Sequence, residues 1–135
     1  MSHHIVRGLY ESRLSAWASV KGLKVAWQGV AFSPPPGIYL QAFMLPALTD
    51  SIDLAGDTRT FIGVFQVSIV APNGKGTGAA EALVAELDAL FPYTLELVSG
   101  DLTVSIVKPV DPGPMIPGST TFTLPVSFGY RADRV

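Results

Sequence analysis

The sequence predicts an α+β fold, with a single mixed, mainly antiparallel β-sheet of about five strands and two helices packed on one face. Apolar side chains alternate with a period of two in the centre of the chain and again near its end, which is typical of strands with one buried face. Two other segments repeat their apolar residues with the period of a helix. Because these strands and helices follow one another in mixed order, we expect helices on one side of a sheet.

The first helix is predicted over residues 5–20, and Gly22 ends it. Its apolar side is formed by Ile5, Leu9, Tyr10, Leu14, Trp17 and Val20. Residues 24–28 and 38–45 are predicted strands because apolar side chains recur there between turn signals. Prolines 34–36 make the segment between them a stiff connector, which cannot join a central ladder.

An acidic loop is predicted over residues 49–59, between the second and third strands. It contains Asp50, Asp53 and Asp57 around Gly56, and we expect it to be mobile. Carboxylates are the oxygen ligands that calcium prefers, but their spacing here misses the D-x-D-x-D-G pattern. We therefore interpret this segment as a solvated loop.

The clearest pattern lies in the centre, where a strand, a glycine-rich turn and a helix follow one another. One face of the strand is formed by Phe61, Gly63, Phe65, Val67 and Ile69. From Ala79 the period becomes helical, and the apolar side is formed by Leu83, Leu87 and Leu90, opposite Glu81, Ala85 and Asp88. Pro92 ends this helix.

The last third of the chain is predicted to be mainly strand. Residues 95–98 and 102–107 are strands on either side of a turn, and a mobile Pro/Gly-rich loop follows over residues 109–119. The final strand shows strict alternation in Phe122, Leu124, Val126, Phe128 and Tyr130. Since Pro125 has no main-chain N–H, we expect this strand to lie at a sheet edge or to contain a bulge.

Length and composition limit the functions that this chain can have. A length of 135 residues suits one domain, so we expect residues 1–135 to form a single domain. The net charge of -2 offers no basic surface for nucleic acid, and the lack of cysteine excludes disulfides and thiolate sites. Prolines interrupt the uncharged segment 25–49, so no membrane span is expected. With 48% hydrophobic and 15% charged residues, we expect other subunits to cover part of the apolar surface.

The glycine-rich turn is the strongest candidate for chemistry. Gly74, Gly76 and Ala79 fit G-x-G-x-x-A between a strand and a helix, where main-chain N–H groups can bind a pyrophosphate. No second βαβ unit is predicted, so a flexible strand-to-helix connection is the favoured interpretation, with nucleotide binding as the alternative. His3 and His4, the only histidines, sit at an end that we expect to be frayed. We predict no catalytic residue, metal site or cofactor.

Several segments together resemble the tail terminator family of long-tailed bacteriophages and prophages, which includes small tail-completion and minor tail proteins. The resemblance is carried by the N-terminal helix, Ala26-Trp27-Gln28 with Phe32 and the proline turn, Tyr39-Leu40, Leu45-Pro46, Gly63-Val64-Phe65-Gln66-Val67, Pro72-Asn73-Gly74-Lys75-Gly76, Phe91-Pro92 and Pro125-Val126-Ser127-Phe128-Gly129-Tyr130-Arg131. The order of these segments covers nearly the whole chain.

The resemblance implies a structural protein without catalytic residues. Such subunits close into a ring, commonly a hexamer, on the end of the tail tube, stop its polymerisation and present a surface to the head connector. The expected partners are copies of the chain, the tail-tube protein and the head–tail connector protein, in the virion tail and in the host cytoplasm during assembly. The alternative is another neck or connector component of similar fold.

We expect the contacts with the tube or with other subunits on loops 34–37, 49–59 and 111–119, because contacts on loops can change without altering the core. The predicted interface residues are Pro35, Asp50, Asp53, Asp57, Arg59, Pro114 and Arg131. Arg59 and Arg131 either pair with acidic groups such as Asp50 or Asp57 across an interface or remain separate solvated charges.

Overall fold

The computed structural model describes residues 2–51 and 59–134, with side chains for residues 3–47 and 60–133. Within these two ranges, two helices and seven strands follow in the order α1 (Ser2–Lys21), β1 (Lys24–Ala26), β2 (Tyr39–Ser51), β3 (Arg59–Pro72), α2 (Gly78–Leu90), β4 (Glu96–Ser99), β5 (Leu102–Pro112), β6 (Ile116–Pro117) and β7 (Thr121–Arg134). The predicted α+β class is confirmed, but the expectation of about five strands was too low. The predicted strand over residues 24–28 is β1, which is three residues long. Strand β6 lies in the segment predicted as a loop and, at two residues, is too short for an alternating pattern to be visible.

The strands form one sheet in the order β1-β2-β3-β7-β5-β4, and β6 pairs with β7 beyond the end of β5. Strand β1 is parallel to β2, while the other pairs are antiparallel. Strands β3 and β7 pair along their whole length, from Arg59 opposite Arg134 to Pro72 opposite Thr121. These two central strands therefore hold the sheet together.

Both helices cover the same face of the sheet, which we call the inner face; the opposite one is the outer face. An aromatic cluster joins the helix layer to this inner face. The ring of Tyr10 in α1 lies 5.0 Å from that of Phe128, and the ring of Phe91, just after α2, lies 4.8 Å from Phe128. Phe65 of β3 contacts both Tyr10 and Phe91. All four aromatic residues are buried, so the core lies between the helices and the two central strands.

The two helices follow the predicted periods with one exception. Leu83 and Leu87 of α2 are buried and Leu90 is half-buried, as the pattern predicted. In α1 the buried positions are Val6, Tyr10, Leu14 and Ala18. Val20 was wrongly assigned to the apolar side and is 87% exposed, because it lies six residues, or roughly 240°, around the helix from Leu14.

Strands β2, β3 and β5 run further than the sequence predicted. Residues 49–51 and Arg59, expected in a loop, belong to β2 and β3, and residues 109–112 belong to β5. The pairing of β2 with β3 shifts between Pro46 and Leu48, which is a β-bulge. A bulge changes which residues face the core, so the alternation fails at Pro46 although the strand continues. The rest of the predicted acidic loop, residues 52–58, lies outside the described residues.

The final strand was wrongly expected at a sheet edge or with a bulge of its own. Strand β7 is central, between β3 and β5, and its pairing with β3 contains no register shift. The carbonyl oxygen of Pro125 accepts a hydrogen bond of 2.7 Å from the N–H of Gly113, in the gap between β5 and β6. The two main-chain groups of a strand residue point to the same side. The missing donor of Pro125 therefore faces the gap, and the bulges lie in β5 instead.

Candidate assembly surfaces

The outer face carries an apolar strip along β2 and β3. Ile62, Val64 and Phe43 are half-buried, and Leu45 is 51% exposed. Toward the other end of β3 the same face is covered, since Ser68 is 3% and Val70 is 4% exposed. Exposed apolar surface on a sheet face is typical of association sites, so the uncovered end of this face is a candidate interface.

Polar groups on β7 continue this surface beside the apolar strip. The Nε atom of Arg131 lies 3.3 Å from Oδ2 of Asp133, and both side chains are about half exposed. The hydroxyl of Thr60 donates a 2.8 Å hydrogen bond to Oδ1 of the same carboxylate. The guanidinium of Arg131 is therefore positioned by its own strand, and an exposed ion pair of this kind adds little to stability.

The predicted interface residues fall toward two ends of the sheet. Asp50 is opposite Thr60, Arg59 is opposite Ser51, and Arg131 lies three pairs before Arg134, which is opposite Arg59, so these positions lie toward one end. Pro35, in the connector before β2, and Pro114, between β5 and β6, lie toward the other end. Pro35 is half-buried and Pro114 is exposed. Asp53 and Asp57 lie outside the described residues.

His3 was wrongly expected in a frayed end. It lies in α1, is only 8% exposed, and its Nδ1 atom is 2.8 Å from the hydroxyl oxygen of Tyr130. Its ring meets that of Phe61 edge-on at 5.1 Å. The first turn of α1 is therefore fixed on the sheet. The helical spacing of His3, Val6 and Tyr10 could have revealed this, because all three positions fall on one side of a helix.

Burial controls the protonation of His3 and of the two tyrosines near it, Tyr130 and Tyr10. Desolvation lowers the pKa of His3 and raises the pKa of Tyr130 to about 12. Burial and the charge of a Tyr130 anion both raise the pKa of Tyr10, whose hydroxyl has no hydrogen-bond partner among the described residues. At neutral pH these groups therefore remain uncharged, and they pack as part of the core.

The glycine-rich turn has a geometry that disfavours a pyrophosphate. A cavity of about 210 Å³ lies beside it, between Ile38, Pro72, Lys75 and Ala80, smaller than typical ligand pockets of roughly 300–1,000 Å³. The hydroxyl of Thr77 donates a 2.6 Å hydrogen bond to the carboxylate of Glu81 in the first turn of α2. That carboxylate already occupies the positive end of the helix dipole, where a bound phosphate would have to lie.

No cluster of three or more histidine or acidic side chains suitable for a metal ion occurs in residues 2–51 and 59–134. The helices of this same part of the chain include none that is long and apolar enough to cross a bilayer. What the described residues do present is a helix-backed sheet with a partly apolar outer face. This arrangement is typical of a structural subunit that associates through its surface.

Comparison with known proteins assigns this structural subunit to a family. A family model described as phage tail terminator protein matches residues 5–130. The chain therefore belongs to the phage tail terminator family, and the predicted resemblance is confirmed. A solved structure with a TM-score of 0.83 is 46% identical in sequence, over 98% of this chain and 96% of that chain. The name of that protein states no function, and a search of the curated proteins gave no match.

Proposed function

We propose that this protein closes into a ring on the end of the phage tail tube, stops polymerisation of the tube and forms the surface that joins the head connector. The observation that carries the proposal is the family match over residues 5–130. In this proposal residues 1–135 act as one domain. The protein works as a structural subunit in the virion tail, without catalysis, cofactor, nucleic-acid binding or membrane contact.

The proposed partners are copies of the same chain, in a ring of six, together with the tail-tube protein and the head–tail connector protein. The exposed apolar side chain of Leu45 and the half-buried Val64 on the outer face support association, because covering them removes apolar surface from water. The proposed contact residues are Pro35, Asp50, Asp53, Asp57, Arg59, Pro114 and Arg131. Those among them that the structure describes are divided between two ends of the sheet, which suits two different partners.

The proposal is tested by mixing the purified protein with polymerising tail-tube protein and measuring tube lengths by negative-stain microscopy. We expect ring-shaped density at one tube end and tubes that stop growing. A monomer in dilute solution does not contradict the proposal, because assembly follows mass action and the tube can act as template. Tubes that grow unchanged, with no bound protein at high concentration, would refute it. Binding to the connector alone would indicate a neck component instead.

A further inference from the structure

The two edges of the sheet match each other. Strand β1 forms one edge and β4 the other. Because β1 and β2 are parallel and each later neighbour in the sheet is antiparallel, β1 and β4 run in the same direction. When copies are related by a rotation about an axis along the strands, β4 of one copy therefore meets β1 of the next copy in parallel. A head-to-tail contact of this kind is what a closed ring requires.

The main-chain groups at the two edges are complementary. The carbonyl oxygen of Leu95 accepts a hydrogen bond from the N–H of Ile106 in β5. Because successive residues alternate, Glu96 and Val98 turn their main-chain groups to the open side of β4. At the other edge the N–H of Met44 points away from β3, to Gln28. The same alternation turns every second residue of β2 toward β1, and in this parallel ladder the main-chain groups of Lys24 and Ala26 face β2. The main-chain groups of Val25, which lies between them, therefore face the open edge of β1.

A single register satisfies all of these groups. When Val25 of one copy is aligned with Leu97 of the next, its N–H meets the carbonyl of Glu96 and its carbonyl meets the N–H of Val98, the pattern of a parallel ladder. Within the described part of the chain, no loop forms a main-chain hydrogen bond with Val25, Glu96 or Val98.

The side chains agree with this register. Lys24 shares the outer face with its partner Tyr39, and Glu96 shares the outer face with Ser105. Both are exposed, and in residues 2–51 and 59–134 neither forms an ion pair. The register places the ammonium of Lys24 beside the carboxylate of Glu96. It also places the half-buried Ala26 beside Val98, which is 64% exposed.

We infer that β4 of one copy pairs in parallel with β1 of a second copy of this chain, with Lys24 beside Glu96, Val25 beside Leu97 and Ala26 beside Val98. This inference rests on the proposed ring function and names the contact that closes the ring. The pairing covers three residues of each strand, which makes one contact weak. Assembly therefore depends on closing all contacts together or on a template that gathers the copies.

Disulfide trapping tests the contact directly, because the chain contains no cysteine. The double variant Ala26→Cys/Val98→Cys carries its two thiols on opposite sheet edges, five strand spacings or roughly 24 Å apart, so they cannot join within one copy. We expect oxidation on tail tubes to give a ladder of covalent oligomers that ends at the ring size. Each single variant gives no species above a dimer. Wild-type rings that form while the double variant assembles without a ladder would overturn the inference.

Charge reversal gives a second readout. We expect Glu96→Lys and Lys24→Glu each to raise the concentration needed for half-maximal assembly at least about tenfold, since like charges then lie side by side. The swap Lys24→Glu/Glu96→Lys restores assembly. Asp88→Lys, at an exposed position of α2, is the matched control and leaves assembly unchanged. If both reversals assemble like wild type, this contact is wrong while the ring proposal stands. If wild type never assembles on tubes, both fail.

Discussion

The contact between Gly63 and Tyr130 gives the sharpest test of how the sheet is held together. Gly63 lies directly opposite Tyr130 in the β3–β7 ladder. A Cβ atom at Gly63 would lie 2.5 Å from the hydroxyl oxygen of Tyr130 and 2.8 Å from the carbonyl oxygen of Leu45, closer than the 3.0 Å that real Cβ atoms tolerate. The side chain of Tyr130 is fully buried and forms a hydrogen bond with His3, so it cannot rotate into solvent. Gly63→Ala must therefore displace both neighbours.

The cost follows from these contacts. Overpacking of a core costs about 1–3 kcal/mol, and loss of the 2.8 Å hydrogen bond between Tyr130 and His3 adds about 1 kcal/mol. We expect Gly63→Ala to lower the free energy of unfolding by about 2–4 kcal/mol and Tm by at least roughly 6 °C. Chemical denaturation followed by circular dichroism measures the first quantity, and thermal unfolding measures the second.

Gly8 supplies the matched control. It is exposed in α1, and a Cβ atom there would have nothing within 4 Å. Gly8→Ala should stabilise the protein by about 0.5–1 kcal/mol, because glycine loses more backbone entropy in a helix than alanine. A free energy of unfolding of Gly63→Ala within about 0.5 kcal/mol of the wild-type value would contradict this close packing of Gly63 on Tyr130, since displacing a packed core costs more than that.

Three further predictions concern packing, edge protection and pH. Leu87→Ala, in the core, should cost about 2–5 kcal/mol in denaturant unfolding, and the half-buried Leu90→Ala clearly less. Gln28→Ala removes the oxygen that accepts the N–H of Met44, so light scattering at 37 °C should show aggregation that Gln28→Glu, which keeps an acceptor, does not. The lowered pKa of His3 means that the unfolded chain binds the proton more readily than the folded protein. The contribution of neutral His3 to the free energy of unfolding should therefore be complete above pH 6.5 and decline below it. Denaturant titrations from pH 5 to 8 should show that decline in wild type but not in His3→Gln.

Elements with one uninterrupted period could be predicted from the sequence. Leu83 and Leu87 define the buried side of α2, and Phe61, Phe65 and Ile69 define the inner face of β3. In α2, and in β3 from Phe61 to Gln66, the covering layer lies on one side only, so the sequence pattern predicts it. Further along β3 both faces are buried, at Ser68 and Val70 as well as at Ile69. The family resemblance depended on the same segments in order, and the family match over residues 5–130 confirms it.

Features that depend on a neighbouring strand could not be predicted in this way. The local sequence around Pro125 shows the missing N–H but not that β5 ends and β6 begins beside it, which lets a central strand accept a proline. The continuation of β2 beyond Pro46 depends on its pairing with β3 after the bulge. The burial of His3 depends on Tyr130, 127 residues away. For the contact residues the sequence supplied only loop positions, and their partners stay a prediction.

One part of the sheet edge is covered by a side chain while other parts stay open, and this difference affects how the copies associate. Along β2, beyond the short β1, the side chain of Gln28 covers the N–H of Met44, and Pro46 has no N–H to offer. A long strand edge left open would pair with any similar strand, so covering it limits uncontrolled growth. Among residues 2–51 and 59–134, the edges at β1 and β4 keep main-chain groups without a main-chain partner, but these edges are short and carry opposite charges in Lys24 and Glu96. Short charged edges pair weakly with unrelated strands, while β1 and β4 are complementary to each other in one register. A subunit that must form a closed ring without becoming a fibre needs both properties, and Gln28→Ala should weaken the first while Glu96→Lys weakens the second.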